Sequence, residues 1–151
     1  MDYKEYYKSY YNYRKAKNDI IRIEDSIADI INALLSISTT YKETNSSSNT
    51  CSDKVSKLTV EKVYLEGQAK LAKELLAIRE NQKNEDEIEL RKSKDNKDII
   101  YFKYYIDHLK VREIAKQIPL AREYTHALLK EIRKEIAKLD EELRKKKNKK
   151  K

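Results

Sequence analysis

The sequence has little glycine, proline or cysteine, with one of each among its 151 residues. Tight β-turns and phosphate-binding loops depend on glycine and proline, so strand hairpins and nucleotide loops of this kind are disfavoured. The single cysteine, Cys51, cannot form a disulfide within the chain and is compatible with a reducing compartment. Helices are therefore the default, and the predicted fold class is all-α.

A long apolar run is also missing. The longest nearly apolar stretch, residues 30–37, contains Asn32 and Ser36. It is far shorter than the roughly 20 residues that span a bilayer. The first residues lack the basic start and apolar segment of a secretory signal. We therefore expect a cytoplasmic protein with no membrane contact.

Charge is abundant but unevenly placed. Charged residues make up 40% of the chain and hydrophobic residues 39%, a balance typical of long amphipathic helices. Residues 1–96 hold 17 basic and 17 acidic side chains, whereas residues 97–151 hold 17 and 9. A basic end on a neutral body favours a polyanionic partner such as nucleic acid. The terminal KKKNKKK run supplies six of these charges, and it could instead be a solubilising tail or an RNA-binding segment.

Residues 1–93 are predicted to form a long, coiled-coil-like helical hairpin. Apolar and aromatic side chains recur at steps of three and four from residue 3 to residue 34. The polar segment 38–53 is predicted to be a flexible loop, and a second helix begins after Ser52 or Asp53. The same apolar stripes could instead join two copies of the chain in a dimer. The side chains predicted to be buried on the second helix are Val55, Leu58, Val63, Ala69, Ala72, Leu75, Leu76 and Ile78.

A polar run over residues 80–98 separates this hairpin from the rest of the chain. Its only sizeable apolar residues before the next helix are Ile88 and Leu90. We interpret it as a solvated helix end and a linker, which places a domain boundary near residue 93. Residues 94–151 then form a second domain with a lysine-rich tail.

The second domain has the pattern of a helix-turn-helix. A short helix with inward Ile114 and Ala115 should end near Gln117 or Ile118, because Pro119 cannot continue it. Leu120 is predicted to point inward from the turn, and a new helix begins at about Ala121. In this layout the second helix packs on the first and presents its outer face to a major groove.

The outer face carries side chains that can read DNA. Arginine and lysine donate to guanine or phosphate, a glutamate accepts from cytosine, and a histidine bonds a base or a phosphate. The predicted DNA-binding residues are Lys110, Arg112, Arg122, Glu123, His126, Ala127 and Lys130.

The segment YFKYYIDHLKVREIAKQIPLAREYTHALLKEI resembles the helix-turn-helix of sigma-factor region four, in the variant found in phage ArpU-type transcriptional regulators. The resemblance covers about a third of the chain and implies a DNA-binding transcriptional regulator of phage or prophage origin. The family usually has glycine in the turn, a serine or threonine cap and an aliphatic residue further on. This chain has Pro119, Ala121 and Thr125 at those positions.

No catalytic chemistry is predicted. The chain has no glycine-rich loop and no histidine close to Cys51 in sequence, and its two histidines, His108 and His126, lack metal-ligand spacing. We expect neither an enzyme nor a cofactor or metal site. The six tyrosines between residues 3 and 13 favour packing or a protein interface over base stacking. The alternative function is therefore a helical interaction module, such as a phage inhibitor or packaging component, acting through this helix. For residues 1–80 of the regulator, the candidate partners are RNA polymerase and a second copy of the chain.

Overall fold

The fold is all-α, as predicted. A computed structural model describes the backbone of residues 1–44 and 48–149 and the side chains of residues 1–37 and 53–146. These residues form α1 (Tyr3–Thr44), α2 (Ser48–Arg91), α3 (Asn96–Tyr101), a π-helical segment (Phe102–Ile106), α4 (Val111–Gln117) and α5 (Arg122–Lys149), and they contain no strand. None of the helices described is long and apolar enough to cross a membrane.

The predicted flexible loop over residues 38–53 is mostly helical. The first helix continues to Thr44 and the second begins at Ser48, so within this segment only residues 45–47 lie outside the described backbone. Extending an established helix adds one hydrogen bond per residue, so polar residues can continue a helix that packing holds elsewhere. Polarity alone was therefore a poor guide to the helix ends. The side chain of Cys51 lies outside the described residues.

The chain divides into two compact units, one of residues 13–79 and one that joins residues 1–12 to residues 80–151. The predicted boundary near residue 93 coincides with neither boundary of the unit of residues 13–79. The start of α1 and the end of α2 lie with the C-terminal helices because both bring buried side chains to their core. These include Tyr3, Tyr6 and Leu90, which expose 4% or less of their surface.

The unit of residues 13–79 consists of the long helical hairpin. Ala16, Ile20 and Ile30 of α1 and Ala69 of α2 are buried, and Lys73 pairs with Glu24 across the two helices at 3.8 Å. The prediction for α2 was right for Ala69 but wrong for several large residues. Val55, Val63, Leu75 and Ile78, all expected to be buried, are exposed in the single chain.

The core of the other unit gathers residues from distant parts of the sequence. The first part of the run over residues 80–98 is a solvated helix end, as predicted, because α2 continues to Arg91 and most of residues 80–89 are exposed. The run is not a linker, because Leu90 is completely buried. Asp98 is also buried, where its carboxylate accepts the Tyr3 backbone N–H at 2.9 Å and the Ser93 hydroxyl at 2.6 Å. Burial raises the pKa of the Asp98 carboxyl, and the Ser93 hydrogen bond acts in the opposite direction. Asp98 thus fixes the start of α1 beside α3.

Candidate nucleic-acid interface

Helices α4 and α5 form a helix-turn-helix around a shared apolar core. Ile114 of the first helix, Ile118 directly after it, and Leu128, Leu129 and Ile132 of the second helix expose 6% of their surface or less. These residues belong to the same cluster as Ile100 and Phe102 of the preceding helical segment. The inner face of α5 is therefore fully used in packing, which leaves its outer face as the surface available to a partner.

The turn has the predicted limits. Helix α4 ends at Gln117, and the Ile118 N–H closes it on the Ile114 carbonyl at 3.0 Å. Pro119 follows, Leu120 is partly buried against the core, and α5 begins at Arg122. The proline thus occurs where the helix has already ended, and its missing N–H removes no helical hydrogen bond.

Thr125 is a polar residue at a core position of α5. It is completely buried, and its hydroxyl donates at 3.1 Å to the carbonyl of Ala121, the residue directly before α5. A buried hydroxyl without a partner would cost about 1–3 kcal/mol, and this local bond removes that penalty. The polar residue is therefore accommodated without disturbing the contact between α4 and α5.

All seven residues predicted to bind DNA are exposed. Five of them lie on the first turns of α5, and Lys110 and Arg112 lie at the start of α4. The Lys110 backbone N–H donates to Glu113 Oε2 at 3.4 Å, a long bond that joins the residue before α4 to its first turn. The arrangement places basic side chains at the N-terminal ends of both helices of the motif.

The basic side chains of this unit fall into two groups. Lys97 pairs with Glu131 and Glu135, and Arg133 donates to the Tyr104 hydroxyl at 2.8 Å while lying over its ring. In contrast, none of the side chains of Arg112, Arg122 and Lys130 has an ion-pair or hydrogen-bond partner among the residues that the structure describes. The cations on the outer face are thus available to phosphates, whereas those of the other group support the fold.

Arg91 belongs to the supporting group. It pairs with Asp107 through two hydrogen bonds of 2.7 and 3.3 Å and lies over the Phe102 ring, with its guanidinium carbon 5.4 Å from the centroid. The hydrogen bonds from Arg91 lower the pKa of the Asp107 carboxyl. The pair ties the end of α2 to the backbone that leads into α4. In the segment between Ile106 and α4, His108 adopts a left-handed backbone conformation with φ 57°.

One exposed lysine of the same surface was not included in the prediction. Lys134 follows Lys130 by four residues, is exposed and has no ion pair among the described residues. The spacing of Arg122, His126, Lys130 and Lys134 is four throughout, so these residues neighbour one another along the helix surface. That spacing in the sequence was the signal that could have identified Lys134.

Three of the six N-terminal tyrosines are buried in this unit. Tyr3 and Tyr6 contact Tyr101 with ring centroids 5.4 and 5.8 Å apart, and Tyr101 stacks on Tyr105 at 5.0 Å. Tyr7 is also buried, and its hydroxyl donates to Asp140 at 2.9 Å. Tyr3, Tyr6 and Tyr7 therefore present no surface for base stacking or for a protein partner, and packing is their role.

No group of three or more histidine, cysteine or carboxylate side chains is placed to hold a metal ion within the described part of the chain. Comparison with family models, curated proteins and solved structures gives no match. The functional assignment therefore rests on the helix-turn-helix and the side chains that it presents.

Proposed function

We propose that this chain is a DNA-binding transcriptional regulator that reads duplex DNA through α4 and α5. The observation that carries the proposal is the row of exposed cations without ion-pair partners on the outer face of a helix-turn-helix. The resemblance to ArpU-type regulators adds a phage or prophage origin to the proposal. The same proposal includes that the chain is not an enzyme.

The contacts follow from the positions of the side chains. The first turns of α5 enter the major groove, where Arg122 donates to guanine or phosphate and Glu123 accepts from cytosine. His126 bonds a base or a phosphate, and Lys130 binds the backbone. Ala127 adds an apolar surface that can contact a thymine methyl group. Lys110 and Arg112 bind phosphates and hold the motif on the duplex, alongside the base contacts of α5.

The test is binding of the full chain to fluorescently labelled duplex DNA of mixed sequence at several salt concentrations. Removing one phosphate-binding cation should reduce the slope of log affinity against log salt by about 0.9. We expect Arg122→Ala and Lys130→Ala to weaken binding by about 5–50-fold each, as is typical of single phosphate or base contacts. Lys73→Ala, in the other unit, removes the same charge and is the matched control.

Two outcomes would contradict the proposal. One is binding that is absent, or that does not respond to salt. The other is binding that Arg122→Ala and Lys130→Ala leave unchanged but that disappears when residues 144–151 are deleted. The second result would assign the affinity to the lysine tail, and a comparison of duplex DNA with single-stranded RNA would then identify its ligand.

A further inference from the structure

The outer face of α2 carries a row of exposed apolar side chains. Its members lie on one face of the helix over 18 residues, which corresponds to about 27 Å of helix, with Gly67 in the seven-residue step between Tyr64 and Leu71. Each exposes between 44% and 70% of its surface within the unit of residues 13–79. Patches of this extent on a protein surface mark contact sites. The row consists of Val60, Val63, Tyr64, Leu71, Leu75 and Ile78, and we refer to it as the α2 row.

Gly67, the only glycine of the sequence, lies in the middle of the α2 row. A glycine in a helix interior destabilises the helix by about 1 kcal/mol relative to alanine. A Cβ atom at this position would meet nothing within 4 Å, so no neighbour in the chain requires a glycine here. A helix from outside the chain that approaches closely at this point would require it.

Five members of the row and Gly67 are spaced symmetrically. Their positions, 60, 63, 67, 71, 75 and 78, read the same in both directions, with steps of 3, 4, 4, 4 and 3. A two-fold contact between two identical antiparallel helices needs such a pattern, because each residue then meets a fixed partner position. With the axis at the level of residue 69, Val60 lies opposite Ile78, Val63 opposite Leu75, and Gly67 opposite Leu71.

We propose that the α2 row binds the α2 row of a second copy of this chain in an antiparallel, two-fold pair. Leu71 of each copy fills the space left by Gly67 of the other, as a large residue packs against a small one in helix interfaces. At the same register Tyr64 of one copy lies opposite Glu74 of the other. The Tyr64 hydroxyl can donate a hydrogen bond to the Glu74 carboxylate. Glu74, which lies between Leu71 and Leu75 in the sequence, thus gains a donor.

The composition of the row fits this partner. A symmetric pair covers six large apolar side chains on each copy, each of them 44–70% exposed in the single chain, so both sides of the contact are apolar. The pairing is measured without nucleic acid and does not depend on the proposed DNA binding. A two-fold pair would also give the assembly two helix-turn-helix motifs.

The first experiment measures the mass of the full chain by light scattering during size exclusion. We expect twice the chain mass of 18.0 kDa at micromolar concentration. Leu71→Glu should raise the dissociation constant by about 100-fold, because it places two carboxylates in the apolar contact. Ile21→Glu, at an exposed isoleucine of α1, is the matched control and should leave the mass unchanged, with circular dichroism confirming that both variants fold.

The second experiment tests the antiparallel register. Val60→Lys and Ile78→Glu should each weaken the pair, whereas the double variant should recover at least about tenfold of the affinity, since each introduced lysine meets a carboxylate of the other copy. In a parallel pair identical charges would face each other and the double variant would be weaker than either single one. A monomeric parent chain at about 100 μM, a fully dimeric Leu71→Glu variant or an unrecovered double variant would each overturn the proposal.

Discussion

At the residue scale, two buried tyrosines of α1 differ in a way that the sequence does not reveal. Tyr3 exposes 3% of its surface and its hydroxyl has no hydrogen-bond partner among the described residues, whereas the Tyr7 hydroxyl donates to Asp140 at 2.9 Å. A buried hydroxyl without a partner destabilises the folded state, and one that bonds a carboxylate stabilises it. The same chemical change at the two positions should therefore have opposite effects.

We expect Tyr3→Phe to raise the free energy of unfolding by about 1 kcal/mol, since it removes the unpaired hydroxyl and keeps the ring on Tyr101. Tyr7→Phe should lower it by about 1–2 kcal/mol, because Asp140 loses a donor. Urea denaturation followed by circular dichroism measures both values, and each variant is the control for the other. A loss of stability in Tyr3→Phe would show that its hydroxyl is satisfied in solution.

Local signals in the sequence were sufficient for the helix-turn-helix. Pro119 fixes the end of α4, and the spacing of Ile114, Ile118, Leu129 and Ile132 fixes the faces that pack, so both helix limits were predicted to within a residue. The seven proposed DNA-binding residues were exposed as expected for the same reason. A helical period assigns a residue to a face without any knowledge of distant parts of the chain.

The places where prediction was wrong involve contacts between distant residues. The bond between the Tyr3 N–H and Asp98 joins positions 95 residues apart, and Leu90 is buried by helices that follow a polar segment. No local pattern contains such information, so a polar run was mistaken for a linker. The apolar side chains of α2 that were predicted to be buried but are exposed have a similar explanation. An apolar stripe predicts a contact, but it does not show whether the partner belongs to the same chain.

At the scale of the element, the residue before α5 has no side chain that could cap the helix. Ala121 is exposed, and its carbonyl already accepts the Thr125 N–H at 3.0 Å, as expected of the residue before a helix. An alanine here leaves the first N–H groups of α5 without a side-chain acceptor. The helix is held by the packing of its inner face instead.

Ala121→Ser should supply that acceptor and raise the free energy of unfolding by about 1 kcal/mol, the typical value for a serine cap. Ala127→Ser is the matched control, because it makes the same change at an exposed position in the interior of the helix. There serine should lower stability by about 0.5 kcal/mol. Thermal denaturation of both variants compares the two signs, and equal effects would show that Ala121 does not act as the cap position.

At the scale of the whole molecule, the helix-turn-helix shares its core with the start of α1 and the end of α2. Tyr3 and Tyr6 from α1 and Leu90 from α2 are part of its core, and Lys4 pairs with Glu135 of α5 at 3.7 Å. The motif is therefore a segment of a larger core rather than a separate domain. A structural change at the start of α1 or at the end of α2 would therefore alter the packing of α5 directly.

A fragment of residues 94–151, which follows the boundary predicted from the sequence, should consequently fail to unfold cooperatively, because it lacks Tyr3, Tyr6 and Leu90.

In the full chain, Leu90→Ala should lower the free energy of unfolding by about 2–5 kcal/mol, the range for leucine truncation in a core. Val60→Ala is the control for truncation of an exposed apolar side chain and should change the value by about 0.5 kcal/mol or less when measured below the concentration of self-association. Thermal denaturation followed by circular dichroism compares the fragment, Leu90→Ala and Val60→Ala with the parent chain. A fragment that melts as sharply as the full chain would show that α3, α4 and α5 hold their own core, and the long helices would then serve only other contacts.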